Sequence, residues 1–342
     1  MTYPTTELTW QTSGYNLAVG DSDNVTAHRK WAFSFKNALC TFSLNPWTVL
    51  GSCDGTGNAS HVGTDDYWTS YNSCTSNSSG NNHSWIVLQS PNGSQICYDM
   101  SSGNAWANAG NITFSPTGLY TPALIATGTT TQRPSAPADA VIFVNNDGRS
   151  ISQFGNGDGN LTGYLHIWHS TDGMHTRIVG CTRAYPVMFG IFDRVQVQTG
   201  ITWATPNVGA WNARQNTTFV APTAGLLRDG ANLFGYYNSS VINMAAASEF
   251  FYNSNVTNLG LMGLTSTWCL APSTGLWVST SGLVGKIAVP SASNHSVLPD
   301  LLYGSDNIAN GAGYLNPVGS TRDWVQLGNL VLPWNNTVIA IT

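Results

Sequence analysis

Charge is what this chain has least of. Only 8% of its 342 residues are Asp, Glu, Lys or Arg, against about 25% in an ordinary globular domain. Lysine occurs only at Lys30, Lys36 and Lys286, and glutamate only at Glu7 and Glu249. With a formal net charge of −5 and no basic run, the chain offers no electrostatic footprint for nucleic acid. The opening MTYPTTELTWQTSGYN has neither the basic nor the apolar region of a secretory signal. No apolar run is long enough to span a bilayer, so no membrane insertion is expected. The six cysteines (Cys40, Cys53, Cys74, Cys97, Cys181 and Cys269) form no CxxC pair and no zinc-ligand spacing. Cys53 and Cys74 bracket a Gly/Ser/Asn-rich loop and are the pair that could bridge. Without an export signal the expectation is free thiols.

Nucleophile and phosphate motifs are missing too. There is no GxSxG elbow, no HExxH and no Walker loop. A heptad array or regular repeat is also lacking, which excludes a coiled-coil shaft. Twelve Asn-x-Ser/Thr triplets occur, among them Asn58, Asn77, Asn92, Asn160 and Asn238. In a chain this rich in Asn, Ser and Thr, chance supplies a good part of them, and without a signal they are not read as glycan acceptors.

What is present is a normal hydrophobic share of 42%, arranged as short β-prone runs cut by Gly/Asn/Ser/Asp clusters. The runs predict strands over 31–36 (WAFSFK), 46–51 (PWTVLG), 84–89 (SWIVLQ), 95–100 (QICYDM), 141–144, 164–169, 176–181 and 187–192 (VMFGIF). SWIVLQ and VMFGIF are nearly continuous apolar runs, as expected of strands buried on both faces. Between the third and fourth lies SPNGSQ, whose Asn92-Gly93 pair predicts a tight hairpin turn. Helix is expected only over the Ala-rich 241–252 and, as a short turn, within 226–237. The reading is a mainly β fold: antiparallel β-sandwich-like sheets with long loops and one or two short helices. The Thr/Pro/Ala-rich 126–138 reads as an extended linker or exposed loop, dividing an N-terminal β region (1–125) from a C-terminal one (139–342), unless the two form one domain. After residue 290 periodicity fades, and the segment reads as one that wraps over a sheet or reaches a neighbouring subunit.

Chemistry has few candidates. YLHIWHSTDGMHTRIVGC (164–181) holds three of the seven histidines. Strand alternation puts His166 with Tyr164 and Trp168 on one face, and His169 with Leu165 and Ile167 on the other. The following STDG is turn chemistry, and a hairpin there would bring His169 near His175 with Asp172 at the tip. Two histidines and a carboxylate are a metal-ligand set, set against the plainer reading of a hairpin with satisfied histidines. Asp65 and Asp66 in VGTDDYW are a candidate glycosidase pair, weakened because adjacent acids point to opposite sides of an extended chain. Asp99, Asp193 and Asp323 share no spacing, and each Asp-Gly pair is most simply a turn. GNGDGN (155–160) and NNDG (145–148) resemble calcium loops but lack the closing bidentate acid. No cofactor is expected. Thirteen tryptophans are many, and Trp47, Trp68, Trp106, Trp203, Trp211 and Trp334 lie beside Gly, Asn, Pro or Thr rather than within apolar runs. Such residues stack sugars, anchor subunit interfaces, or plug loops.

Taken in order, NPWTVLGSCDG (45–55), DDYW (65–68), NHSWIVLQSP (82–91), YLHIWHSTDGMHTRIV (164–179) and VQLGNLVLPWNNT (325–337) resemble a group of tailed-bacteriophage virion proteins. The shared features are a tryptophan-led SWIVL strand, a WHS-DG-TR hairpin and a closing PW segment. The resemblance implies a structural role in a phage particle, on tail, baseplate or head surface, and carries over no active-site residue. Expected partners are other virion proteins and further copies of the chain, made in the host cytoplasm and localised to the virion. A carbohydrate-binding adhesin, holding host glycan with Trp68 or Trp106, is the alternative. A depolymerase centred on Asp65 and Asp66 is the second alternative.

Overall fold

The computed structural model describes residues 7–16, 24–56, 61–62, 66–75, 82–100, 111–143, 163–182, 186–194, 197–199, 202–205, 207–213, 224–229, 232–237, 277–279, 282–291, 294–315 and 324–333. In chain order the first elements are β1 (Trp10–Asn16), α1 (Asn24–Thr41), β2 (Thr48–Cys53), β3 (His61–Val62), β4 (Trp85–Gln89), β5 (Gln95–Asp99), β6 (Asn111–Ser115), α2 (Pro122–Ile125) and β7 (Val141–Phe143). Next come β8 (Gly163–Ser170), β9 (His175–Thr182), β10 (Pro186–Arg194), β11 (Val197–Thr199), β12 (Thr202–Ala204) and β13 (Asn207–Ala213). The chain continues through β14 (Ala224–Asp229), β15 (Asn232–Tyr237), β16 (Trp277–Ser279), β17 (Gly282–Ser291), β18 (Asn294–Leu315) and β19 (Trp324–Pro333). The fold is mainly β and its pairings are antiparallel. A six-stranded sheet runs β3-β2-β4-β5-β6-β7 and a five-stranded sheet runs β1-β8-β9-β10-β13. A third sheet, β16-β17-β18-β19, is built from the C-terminal part of the chain.

The sandwich core follows from alternation. In β4, β5 and β6, Ile86, Leu88, Ile96, Tyr98, Ile112 and Phe114 share one face, and the register pairs Ile86 with Tyr98 and Ile96 with Phe114. These six pack with Leu165, Ile167, Ile178 and Phe192 of the five-stranded sheet, with Phe35 and Leu39 of α1 and with Phe42 just after it in one cluster. Full burial of each such side chain contributes about 1.5–3 kcal/mol. The opposite face of the six-stranded sheet is buried as well, by Trp85, Val87 and Cys97 with Tyr120 and Ile125. Both faces of SWIVLQ are therefore covered, as its unbroken apolar run predicts. The Asn92-Gly93 turn forms as expected, with Gly93 N–H donating to Ser90 O at 2.9 Å and Ser94 N–H to Asn92 Oδ1 at 2.9 Å.

Two expectations are corrected. WAFSFK is not a strand but the middle of α1. Its buried Ala32, Phe35, Ala38 and Leu39, with Phe42 just beyond its end, recur at helical spacing over a span longer than that six-residue window. The 226–237 segment is not helical; β14 and β15 pair antiparallel, with Asp229 opposite Asn232. Beyond residue 290 the described residues lie mostly in β18 and β19, where the fading periodicity gave no strand prediction. Register shifts between Tyr303 and Ile308, and again before Gly313, break the period of two that would have revealed them. The helix expected at 241–252 lies outside the described residues. Among the described residues no helix is long and apolar enough to cross a membrane.

The 126–138 segment packs over the six-stranded sheet. Trp85 Nε1 donates to Thr129 O at 2.9 Å, and His83 N–H to Thr130 O at 2.7 Å. One core cluster draws on residues from both sides of this segment. Gly128 lies flat on the Trp85 ring, where an added Cβ would sit 2.4 Å from Cζ2. Gly128→Ala should therefore destabilise by about 1–3 kcal/mol through overpacking, read as a lower urea midpoint with an unchanged slope. A wild-type midpoint would show that the cover yields freely.

Candidate functional site

The β8–β9 hairpin carries the histidines, and its tip is fastened from within. Ser170 Oγ donates to Asp172 Oδ1 at 2.5 Å, Met174 N–H donates to the same oxygen at 2.9 Å, and His175 N–H donates to Ser170 Oγ at 2.9 Å. Burial raises the Asp172 carboxyl, but the Ser170 and Met174 hydrogen bonds and the nearby His175 and His169 outweigh it, so its pKa lies below the ordinary value. Gly173 closes the turn at φ +77, and an added Cβ would meet Pro91 Cβ at 2.7 Å and Asn45 Cβ at 2.9 Å. Asn45, itself at φ 50, donates from Nδ2 to Thr171 O at 2.8 Å. From the β4–β5 turn, Asn92 Nδ2 donates to Met174 O at 3.3 Å. Asn207 Nδ2 then donates to Asn92 O at 3.0 Å and Pro116 O at 2.9 Å. Two hairpin tips, one from each large sheet, are thus tied together. The Asn92 triplet is part of this tie and its side chain is buried.

The two faces of the hairpin differ in kind. The pairing sets His169 opposite Thr176. His169 Nε2 lies 2.7 Å from Asn45 O, and a carbonyl only accepts, so Nε2 carries the proton. Nδ1 then accepts from Thr176 Oγ1 at 3.0 Å, while Trp47 Nε1 donates to that hydroxyl at 3.3 Å. Phe42 stacks on the imidazole at 4.9 Å. Burial lowers the His169 pKa, opposed by the Asn45 hydrogen bond and the charge of Asp172.

His175 lies on the other face with Arg177, because β10 pairs Asp193 directly with His175. Arg177 and Asp193 are both fully buried and form an ion pair through Nη1 and Oδ1. Asp193 Oδ2 is 3.3 Å from His175 Nδ1, and Thr176 N–H donates to Asp193 Oδ1 at 3.3 Å. Burial draws the Arg177 pKa down, opposed by Asp193 and by Asp300. Trp10 of β1 closes the cluster: the Arg177 guanidinium lies 5.4 Å from its ring centroid, and the His175 ring meets it edge-on at 6.4 Å. Asp300 of β18 holds that indole, accepting from Trp10 Nε1 at 2.9 Å and from Leu8 N–H at 2.8 Å on one oxygen. On the same face, Trp168 Nε1 donates to Pro333 O at 2.9 Å.

The candidate residues are thus distributed differently from the expectation. His166 with Trp168, and His169 with Leu165 and Ile167, fall on opposite faces as alternation predicts. The metal set of His169, Asp172 and His175 is split by the register, since His169 pairs with Thr176 and leaves His175 on the far side of the sheet. Among the described residues no group of His, Cys, Asp and Glu is placed to hold a metal ion. Asp66 is an anchor: its Oδ1 accepts from Trp68 N–H at 2.9 Å and its Oδ2 pairs with Lys36. Asp65 lies outside the described residues, as do the two loop motifs at 145–148 and 155–160.

Trp68 is corrected from a surface candidate to a core residue. It is fully buried, with Nε1 donating to Cys53 O at 3.1 Å, because the loop after β3 folds its indole onto Tyr98 and beside α1. Trp47 is buried in the same cluster. Trp203 and Trp211 fall on β12 and β13, opposite Gln198 and Gly190 in the pairing. Trp106 and Trp334 lie outside the described residues.

Asp99 has a partner in His83, 3.2 Å away, and in Arg133 at 3.5 Å. Cys40, Cys53, Cys74 and Cys97 are free thiols. Burial raises the Cys74 and Cys97 thiols and pushes Cys40 up to about 12, which disfavours the thiolate at all three. Trp10 and Asp300 carry no local sequence signal. Only the pairing of β1 with β8 and the shifted register of β18 bring them to Arg177. No protein-family profile matches the chain, and neither does any curated protein or solved structure.

Two expected outcomes follow from these geometries. Asp193→Ala leaves Arg177 buried without its counter-charge and should cost about 3–5 kcal/mol. Arg177→Met with Asp193→Leu should cost much less than the two single changes summed, and strict additivity in denaturant melts would show that the pair is uncoupled. The second concerns acid. Burial lowers His166 from 6.5 to about 4, so between those values the unfolded chain binds a proton that the folded chain does not. Stability should fall as pH drops through that window. His166→Gln should make the fall shallower, and an unchanged slope would assign the acid sensitivity elsewhere.

Proposed function

We propose that the chain is a non-enzymatic structural subunit of a tailed-phage virion, acting through contacts with other virion proteins and further copies of itself. One observation carries the reading. The polar groups of the WHS-DG-TR hairpin, the most distinctive motif of the resemblance, serve as internal fasteners. Ser170 and Asp172 lock the turn, His169 ties it to the Asn45 loop, and Arg177 pairs with Asp193 in the core. A motif of this kind keeps a framework in register rather than presenting groups to a substrate.

The other resembling segments support the same reading. Trp85 of the SWIVL strand is held under its cover at Thr129 O, and Pro333 of the closing segment receives Trp168. The adhesin alternative loses Trp68 as a surface residue, and the depolymerase alternative loses Asp66 to Lys36.

The test is direct. Particles purified from a lysate of the phage that encodes this chain should contain it in stoichiometric, multicopy amounts by quantitative mass spectrometry. A chain abundant in the lysate but missing from purified particles overturns the proposal.

A further inference from the structure

The edge of the five-stranded sheet has the construction of a strand receptor. Strands β8, β9 and β10 form a meander extended by β13, and β1 adds to its β8 edge. β1 arrives from the far N-terminal end of the chain and adds to the β8 edge, in register from Trp10↔Ser170 to Asn16↔Tyr164. Its contacts are those of a peptide bound by strand addition: a backbone ladder for affinity and side-chain pockets for specificity.

Three fixtures grip it. Trp10 is the anchor, buried over Arg177 and against His175, with its Nε1 held by Asp300. Gln11 is a clamp: its Oε1 accepts from Ser43 Oγ at 2.8 Å and Leu44 N–H at 2.9 Å, and its Nε2 donates to Leu44 O at 2.8 Å. Asp300 is the third. Its backbone sits at φ 53, a left-handed conformation that a non-glycine residue adopts at a cost, beside the register shift between Lys286 and Ala288 on the paired β17. That geometry directs one carboxylate oxygen at both Leu8 N–H and Trp10 Nε1.

We propose that this receptor is filled, in the assembled state, by β1 of a second copy of the chain. Every copy carries the same strand and the same receptor, so exchange preserves the whole set of contacts. The balance between own and neighbouring strand is then set by the connection through residues 17–23 and by local concentration. The strand itself, WQTSGYN, carries no charge and no proline, the features that commonly block edge pairing. Exchange would complete each Arg177–Asp193 cluster with a neighbour's Trp10. The inference rests on the reading of the chain as a subunit that assembles with its own kind.

A disulfide placed at the end of the ladder tests it. Thr171 N–H donates to Thr9 O at 2.8 Å, and both residues lie outside the core. A hydrogen-bonded antiparallel pair has a Cα separation of about 5.5 Å, suited to a cross-link. The double variant Thr9→Cys/Thr171→Cys is oxidised in the full-length chain, both purified at high concentration and in particles, with each single variant as control. Covalent dimers and larger species on a non-reducing gel are the expected result. A six-residue Gly/Ser insertion between residues 17 and 23 should return most of the product to monomer. Internally linked monomer alone, or both new thiols left unreacted, overturns the proposal. If the chain is present in particles yet linked only internally, exchange fails while the virion reading stands. A chain missing from particles removes that reading, and the purified protein still decides the exchange.

Discussion

Arg177 is a guanidinium with no access to solvent, and the five-stranded sheet is arranged around the need to neutralise it. An unpaired buried charge is penalised by several kcal/mol, so Asp193 must stand beside it, and only one register of β9 on β10 achieves this. A slip of one residue would turn Arg177 toward the apolar cluster of Ile167, Ile178 and Phe192 and leave Asp193 without its partner. The ion pair is therefore weak as a source of net stability and strong as a specification of register. Trp10 and Asp300 extend the same constraint outward. Covering the guanidinium draws the N-terminal strand and the third sheet onto one face.

Elsewhere in the framework, buried polar atoms are met mostly by neutral side chains. Asn45, Asn92, Asn207, Ser170 and Thr176 each satisfy backbone or ring atoms that burial would otherwise strand. Gln95 Oε1 likewise accepts from Tyr120 N–H at 2.6 Å, and Asp139 accepts from Ser115 and Thr117. This explains a composition that is poor in charge and rich in Asn, Ser and Thr. Such side chains act as local ties between turns, where they compete well for backbone partners.

Much of the framework was legible in the sequence. Alternation within SWIVLQ and QICYDM, the Asn92-Gly93 turn and the Asp172-Gly173 turn all encode local geometry, and local geometry is what a single sequence carries. The WAFSFK error has the same root: Phe33 and Phe35 mimic a strand within six residues, and only the longer run to Phe42 reveals the helix. The site was less legible. Whether His169 meets His175 or Thr176 depends on the cross-strand register, which the turn length decides and the residue types do not. Trp68 looked exposed because its neighbours are polar, but an indole beside Gly and Asp can still fold inward when α1 and Tyr98 offer it a pocket. Trp10 and Asp300 belong to opposite ends of the chain, and no spacing rule joins them.

Neutral ties and the enclosed Arg177–Asp193 pair also bear on how uniquely the framework is specified. A net hydrogen bond contributes only about 1 kcal/mol, whereas leaving a buried group unmet costs about 1–3 kcal/mol. A framework fastened in this way gains little from each tie yet is intolerant of alternatives, which favours one conformation over many. Salt screens exposed charges strongly and buried or neutral contacts weakly. Ties such as those of Asn45, Asn92 and Asn207 therefore hold one shape through changing ionic surroundings better than surface salt bridges would. The scarcity of lysine and glutamate then matches the way the described residues are fastened, through neutral side chains more than through surface ion pairs.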